Sequence, residues 1–145
     1  MNESKITIHH MQFCNRLLKD KYTILSDITE IGNISFTKKN KILIIGYLSI
    51  YKKYRKQGYG YKIIEYLLSH YNINCIVGQS LKESRTFWNK CIKKFNGQRR
   101  NITTLDNCSS SFVIPRYKIS DQELCKILEI GYEIESSFSL IGDRI

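Results

Sequence analysis

The sequence predicts an α/β chain (α+β in that an antiparallel meander precedes one crossover). A central mixed, twisted sheet of about six to seven strands is flanked by helices. Three observations predict this. Ile42 to Ile50 is an apolar run rich in β-branched residues and too short to span a membrane. A basic, glycine-bearing loop, Tyr51 to Gly60, follows it, and then Ile63, Ile64, Leu67, Leu68 and Tyr71 recur at the spacing of one helix face. A second short apolar run, Asn74 to Gly78, comes next. Strand, helix, strand in that order is the crossover that a parallel pair requires.

The remaining elements follow from periodicity and punctuation. Lys5 to Ile8 alternates polar and apolar and reads as a first strand. Met11, Cys14, Leu17 and Leu18 stand at helical spacing, so a first helix is expected over Met11 to Lys19. Tyr22–Leu25 and Ile31–Thr37 read as strands, the second interrupted by Gly32, and Lys38 to Lys41 is a turn feeding the central strand. Gly46 inside that strand marks a bulge or a close backbone approach. Ser80 to Glu83 has the form of a capping box, and Ser84, Phe87, Trp88, Cys91, Ile92 and Phe95 make one face of the helix it would start. Asn101–Thr104 and Ser111–Ile114 pair as a hairpin through Asp106-Asn107, and Pro115 ends the second strand. A second capping box, Ser120 to Glu123, opens a short helix with Leu124, Ile127 and Leu128 inward, ending at Gly131. Tyr132 to Ile145 is either a last strand or an arm onto another subunit, which would make a homodimer.

With 145 residues the chain suits one domain with a real core, and 42% hydrophobic content in periodic patterns argues against disorder. The absence of a signal-peptide pattern and of an eighteen-residue apolar run points to a cytoplasmic protein with no membrane partner. Five widely spaced cysteines without a Cys-x-x-Cys pair signal neither zinc nor a disulfide framework. His10 and Cys14 alone are too few ligands, so no metal is expected. The net charge of +10 attracts phosphates, nucleic acid or acidic proteins and repels polycations. Lysine outnumbers arginine 16 to 7, and isoleucine and asparagine are abundant, a composition that an AT-rich genome also produces.

Strand, glycine-bearing basic loop and helix together form a phosphate-binding arrangement. The helix start presents unpaired N–H groups and the positive end of its dipole, and glycine lets an anion approach them. Two familiar motifs fail. Gly60-Tyr61-Lys62 lacks the Gly-Lys-Ser/Thr ending of a nucleotide loop, and Ile63 stands where a dinucleotide fingerprint needs its third glycine. Arg-x-x-Gly-x-Gly does fit, as Arg55-Lys56-Gln57-Gly58-Tyr59-Gly60 after Leu48-Ser49-Ile50. This segment resembles the acyl-coenzyme A binding segment of the GNAT superfamily of N-acetyltransferases. Phe87-Trp88-Asn89-Lys90, followed by Phe95-Asn96-Gly97, is a second and partial match, where the superfamily usually has Phe-Tyr, a lysine, then Gly-Phe.

The resemblance implies the GNAT fold over residues 1–116, with fourth and fifth strands splayed to admit the pantetheine arm, and an extension over residues 117–145. It implies acetyl-coenzyme A as co-substrate. Leu48 and Ile50 would give main-chain contacts to pantetheine and acetyl, and Arg55, Lys56, Gln57, Gly58, Tyr59 and Gly60 would hold the pyrophosphate. Phe87 and Lys90 match the second segment. Trp88 departs from the pattern, because indole cannot supply the proton that a tyrosine there would give the leaving thiolate. Either another tyrosine takes the role, Tyr117 or Tyr132 near the end of the last strands with Tyr117 preferred, or the thiolate leaves with the help of water. The central strand has no carboxylate to act as base. Glu30 is the first choice, ahead of Asp27, Glu83, His9 and His10, because it precedes a strand expected to line the acceptor cleft.

Three readings of the acceptor follow. In the first, the chain acetylates a primary amine on a protein or small molecule. In the second, it acetylates aminoacyl-tRNA, as the toxin-like branch does, through a basic rim of Lys90, Lys93, Lys94, Arg99 and Arg100. In the third, it is an inactive fold that binds coenzyme A or nucleic acid. The +10 charge disfavours aminoglycoside or polyamine acceptors.

Overall fold

Seven strands form one sheet in the order β1-β2-β3-β4-β5-β7-β6 in a computed structural model that describes residues 4–14, 16–80, 84–100, 110–117 and 122. The strands are β1 (Ile6–Phe13), β2 (Arg16–Ser26), β3 (Thr29–Lys39), β4 (Ile42–Ile50), β5 (Cys75–Ser80), β6 (Gln98–Arg100) and β7 (Ser110–Pro115), with helices α1 (Tyr59–His70) and α2 (Arg85–Lys94).

The first helix expected from the sequence does not form: the described residues from Met11 to Lys19 are strand and turn. Phe13 pairs with Arg16 and Gln12 with Leu17, so the chain folds straight back on itself, with Cys14 at φ 49° in the turn. The helical spacing there covers little more than two turns, and so short a helix has no stability of its own. Pairing as strands makes the segment the closed end of a hairpin whose flanks carry the long-range contacts. His10 lies opposite Tyr22 with ring centroids 4.3 Å apart, and Tyr22 stacks on Phe36 of β3 at 4.2 Å.

β2, β3 and β4 continue as the expected meander. The β3–β4 turn has Asn40 and Lys41 both at positive φ (51° and 65°), the geometry that matches strand twist in a two-residue hairpin. Opposite β3, the register steps from Ser35–Tyr47 to Phe36–Ile45, which leaves Gly46 as the extra residue of a bulge. The sheet becomes parallel at one place: Ile42, Leu43 and Ile44 of β4 pair with Cys75, Ile76 and Val77 of β5. That pairing then stops. β5 runs on through Gly78, Gln79 and Ser80 against β7, and β4 runs on to Ile50 against β3, so the fourth and fifth strands part.

Both helices pack on the same face. Ile63, Ile64 and Leu67 of α1 are fully buried against Leu43, Ile45, Leu48 and Ile50, each contributing about 1.5–3 kcal/mol by burial. Trp88 of α2 is fully buried and stacks on Phe112 of β7 at 4.4 Å. Of the expected Ser80–Glu83 capping box, Glu83 lies outside the described residues. Ser80 is the last residue of β5, and α2 starts at Arg85 with Ser84 in the N-cap position. β7 pairs with Gln98–Arg100, immediately before the strand expected at Asn101–Thr104. The expected strand Asn101–Thr104, the helix after Ser120 and the C-terminal strand or arm lie outside the described residues.

Candidate functional site

The loop between β4 and α1 is held by its own side chains. Tyr54 N–H donates to Tyr51 O (2.8 Å), closing a one-turn 3-10 helix over Lys52–Tyr54. Gln57 Nε2 donates to Lys53 O at 3.1 Å, and Arg55 Nε donates to Ile50 O at 2.7 Å. Arg55 thus ties the loop to the last carbonyl of β4, a structural role beyond the anion contact expected of it. Lys56 (φ 62°) and Gly58 (φ 83°) both take the left-handed conformation, and Gly58 is the N-cap of α1 without any side-chain cap. The first intrahelical bond of α1 is Lys62 N–H to Gly58 O, so the N–H groups before Lys62 have no acceptor within the helix. A strand end, a left-handed glycine and an uncapped helix start therefore converge on one concavity suited to an anion.

Gly60, the second residue of α1, is buried, and a Cβ there would overlap the Phe87 ring of α2. This contact brings α2 against the loop. Between them lies a cleft of about 610 Å³, with Ile50, Arg55, Lys56, Gly58, Tyr59 and Gly60 on one side and Phe87 and Lys90 on the other. The structure therefore gathers most of the cofactor residues expected from the sequence around one space. Leu48 and Gln57 do not line it: Leu48 is fully buried in the core, and Gln57 is turned onto Lys53 O.

Sequence reasoning missed Tyr54, Tyr61, Ser84 and Thr86, which also line the cleft. The signal was available in the tyrosines that punctuate the loop. Tyr54 meets Tyr59 edge-on at 6.4 Å, and Tyr61 stacks on Phe87 at 5.9 Å. Each of these tyrosines carries a lysine over its ring: Lys53 on Tyr54 (5.0 Å), Lys62 on Tyr59 (5.8 Å) and Lys94 on Tyr61 (4.8 Å). The mouth is thus both aromatic and basic. Lys90, Lys93 and Lys94 are exposed on α2, and Arg99 and Arg100 belong to the edge strand β6.

The two catalytic candidates have different fates. Glu30 is exposed at the start of β3, and its Oε2 accepts a 2.8 Å bond from the Tyr51 hydroxyl, immediately after β4. That bond, then partial burial and the carboxylate charge, raise the Tyr51 phenol above the ordinary tyrosine range, while Asn33 pulls the other way. Glu30 therefore stands at the same end of β4 as the loop. Tyr117 does not. Arg116 N–H donates to Asn74 O and Asn74 N–H to Lys41 O, which places the chain after β7 beside the starts of β4 and β5. β4 separates that end from Ile50 by about 26 Å, and Tyr117 is 64% exposed. The structure withdraws it as a proton donor for the cleft. Strand order misleads here because β7 runs antiparallel to β5, so its exit lies at the opposite end from the loop.

Neither Glu30 nor Tyr51 lines the cleft itself, and Asp27, His9 and His10 do not line it either. Asp27 Oδ1 accepts the Lys5 N–H at 3.0 Å, and both histidines are on edge strand β1. Glu83 and Tyr132 lie outside the described residues. Trp88 is core, and burial pushes the Cys91 thiol up to about 12, so neither offers a group to the cleft. Among the described residues, no helix is long and apolar enough to cross a membrane.

No protein-family model and no curated protein matches the sequence. Solved structures do match in shape. A GNAT-family chain from Bacteroides thetaiotaomicron superposes with TM-score 0.58 at 13% identity, over 81% of this chain and 70% of that one. The ribosomal-protein-S18-alanine N-acetyltransferase of Escherichia coli gives 0.56 at 10% identity, over 81% and 97%. The diaminobutyrate acetyltransferase of Paenibacillus lautus, solved with L-2,4-diaminobutyric acid and coenzyme A, gives 0.53 at 13% identity, over 70% and 73%. With its parted parallel strands and glycine-started helix, this chain has the fold of the GNAT acetyltransferases.

Proposed function

We propose that the chain moves an acetyl group from acetyl-coenzyme A to a primary amine by direct attack in a ternary complex. One observation carries this reading: β4 and β5 part toward the same end of the crossover at which Ile50 and the uncapped start of α1 border a cleft of about 610 Å³. Gly58, Tyr59 and Gly60 offer main-chain donors to a diphosphate, with Lys56 and Lys90 adding charge at the rim. The β4 strand edge beyond Ile44 has no β5 partner, so its main-chain groups are available to an extended amide-bearing arm. Main-chain N–H groups there also suit the oxyanion that develops as an amine attacks a thioester. Acetyl-coenzyme A supplies the activated acyl group. Glu30, bonded to Tyr51 at the end of β4, forms with it the acid–base pair we assign to removal of the amine proton, directly or through water.

An aminoacyl-tRNA acceptor is the second reading. It is favoured by the three lysine-capped tyrosines at the cleft mouth, a combination that suits a nucleic-acid strand. Mass spectrometry of acetylated proteins, small amines and charged tRNA, from cells expressing the wild type or Gly58→Glu, separates these acceptors. New acetylation that depends on Gly58 supports transfer. Coenzyme A binding without any acetylated product supports an inactive binding fold instead.

A further inference from the structure

Gln79 stands where the sheet opens. Val77 is the last β5 residue with a partner on β4, namely Ile44. Carrying that parallel register on by two residues sets Gln79 across the gap from Gly46, the bulged residue of β4. Its neighbour Gly78 faces the helices, because a Cβ there would meet the Phe112 ring on which Trp88 stacks. Strand alternation therefore turns Gln79 to the other face. Its Oε1 is buried and has no hydrogen-bond partner among the described residues. Gly46 opposite has no side chain with which to supply one. A buried carbonyl oxygen left unpaired is destabilising, and such a group calls for an explanation in function or in a bound ligand.

We infer that Gln79 is a positioning residue whose Oε1 receives an N–H donor at the reacting end of the gap between β4 and β5. This rests on the transfer reading above. An arm that leaves the loop at Ile50 and runs along β4 reaches Gly46 after about 13 Å, so the donor comes either from an amide of the thioester carrier's arm or from the amine of the acceptor. A bond from either source fixes the angle between the acyl carbon and its attacker.

The test uses Gln79→Met, which keeps the volume and removes the oxygen. Its melting temperature should equal or exceed that of the wild type, since an unpaired polar atom is removed. Titration calorimetry then compares coenzyme A with 3′-phosphoadenosine 5′-diphosphate, which lacks the arm. Thiol release from acetyl-coenzyme A is followed with n-butylamine as the probe amine. Coenzyme A weakened about tenfold with the nucleotide unchanged assigns the donor to the arm. Unchanged coenzyme A with amine-dependent thiol release down about tenfold assigns it to the acceptor. Both quantities unchanged, or the nucleotide weakened as much as coenzyme A, overturns the inference. A wild-type chain that binds neither molecule refutes the transfer reading itself, a separate failure.

Discussion

The Phe87 ring occupies the space that a side chain at Gly60 would need. One glycine thereby couples two elements: α1 approaches α2 only because its second residue has no Cβ, and the cleft is what remains between the loop and α2. Gly60→Ala forces the ring or the helix aside and should cost about 1–3 kcal/mol of stability, read as a lowered urea midpoint. Adding Phe87→Leu should recover part of the loss. If Gly60→Ala unfolds at the wild-type midpoint, the packing described for this pair is wrong.

Gly58 is constrained by conformation, since φ is 83° and no atom lies within 4 Å of a Cβ built there. Gly58→Asn should be tolerated better than Gly58→Ala, because asparagine enters the left-handed region more readily, and alanine there should cost about 1 kcal/mol. Thermal unfolding of the two variants checks the order.

Arg55 ties Ile50 O to the loop at 2.7 Å. Arg55→Met should loosen the loop, lower stability by about 1 kcal/mol and weaken coenzyme A about tenfold or more. Urea unfolding reads the first effect and calorimetry the second. Unaltered affinity would mean that the loop keeps its shape without the guanidinium.

Tyr71 gives a pH signature. Burial first, then the neighbouring phenols Tyr66 and Tyr22, raise it from 10.0 to about 12. A phenol held neutral in the folded state stabilises the fold below the unfolded value, and that contribution disappears as pH rises through the folded one. Stability should therefore fall between pH 10.0 and about 12, and Tyr71→Phe should flatten part of the decline. If the tyrosinate absorbance removed by Tyr71→Phe titrates at the ordinary value, this is contradicted.

Lys93 and Lys94 separate the acceptors. The double substitution to alanine should reduce acetylation of charged tRNA several-fold and leave small amines unaffected, with a shallower salt dependence for the RNA. Equal loss on small amines would remove the nucleic-acid reading.

The sequence made the crossover legible and the first hairpin illegible, for physical reasons. β4, the loop and α1 carry three signals that agree: a continuous apolar run, as expected for a strand buried on both faces; glycines at the turn; and an apolar helix face. Gly46 was readable as a bulge because glycine inside a strand has few other uses. Met11 to Lys19 carries only a short period, and it is the turn of a hairpin whose flanks are held by the His10–Tyr22–Phe36 ring stack, Phe36 being remote in sequence. Tyr117 was misplaced because periodicity does not say which end of a sheet a strand leaves. Tyr51 and Gln79 had no local signal. Their meaning comes from the Glu30 contact and from the level at which β4 and β5 part.

Whether the start of α1 receives a diphosphate is decided by titration calorimetry of coenzyme A into the wild type and into Gly58→Glu. The wild type should bind saturably and one to one. The variant should not bind, because its carboxylate would stand at the helix start in the anion's place. A wild type silent at millimolar coenzyme A, or a variant that binds equally well, would mean that the glycine loop is not the binding site.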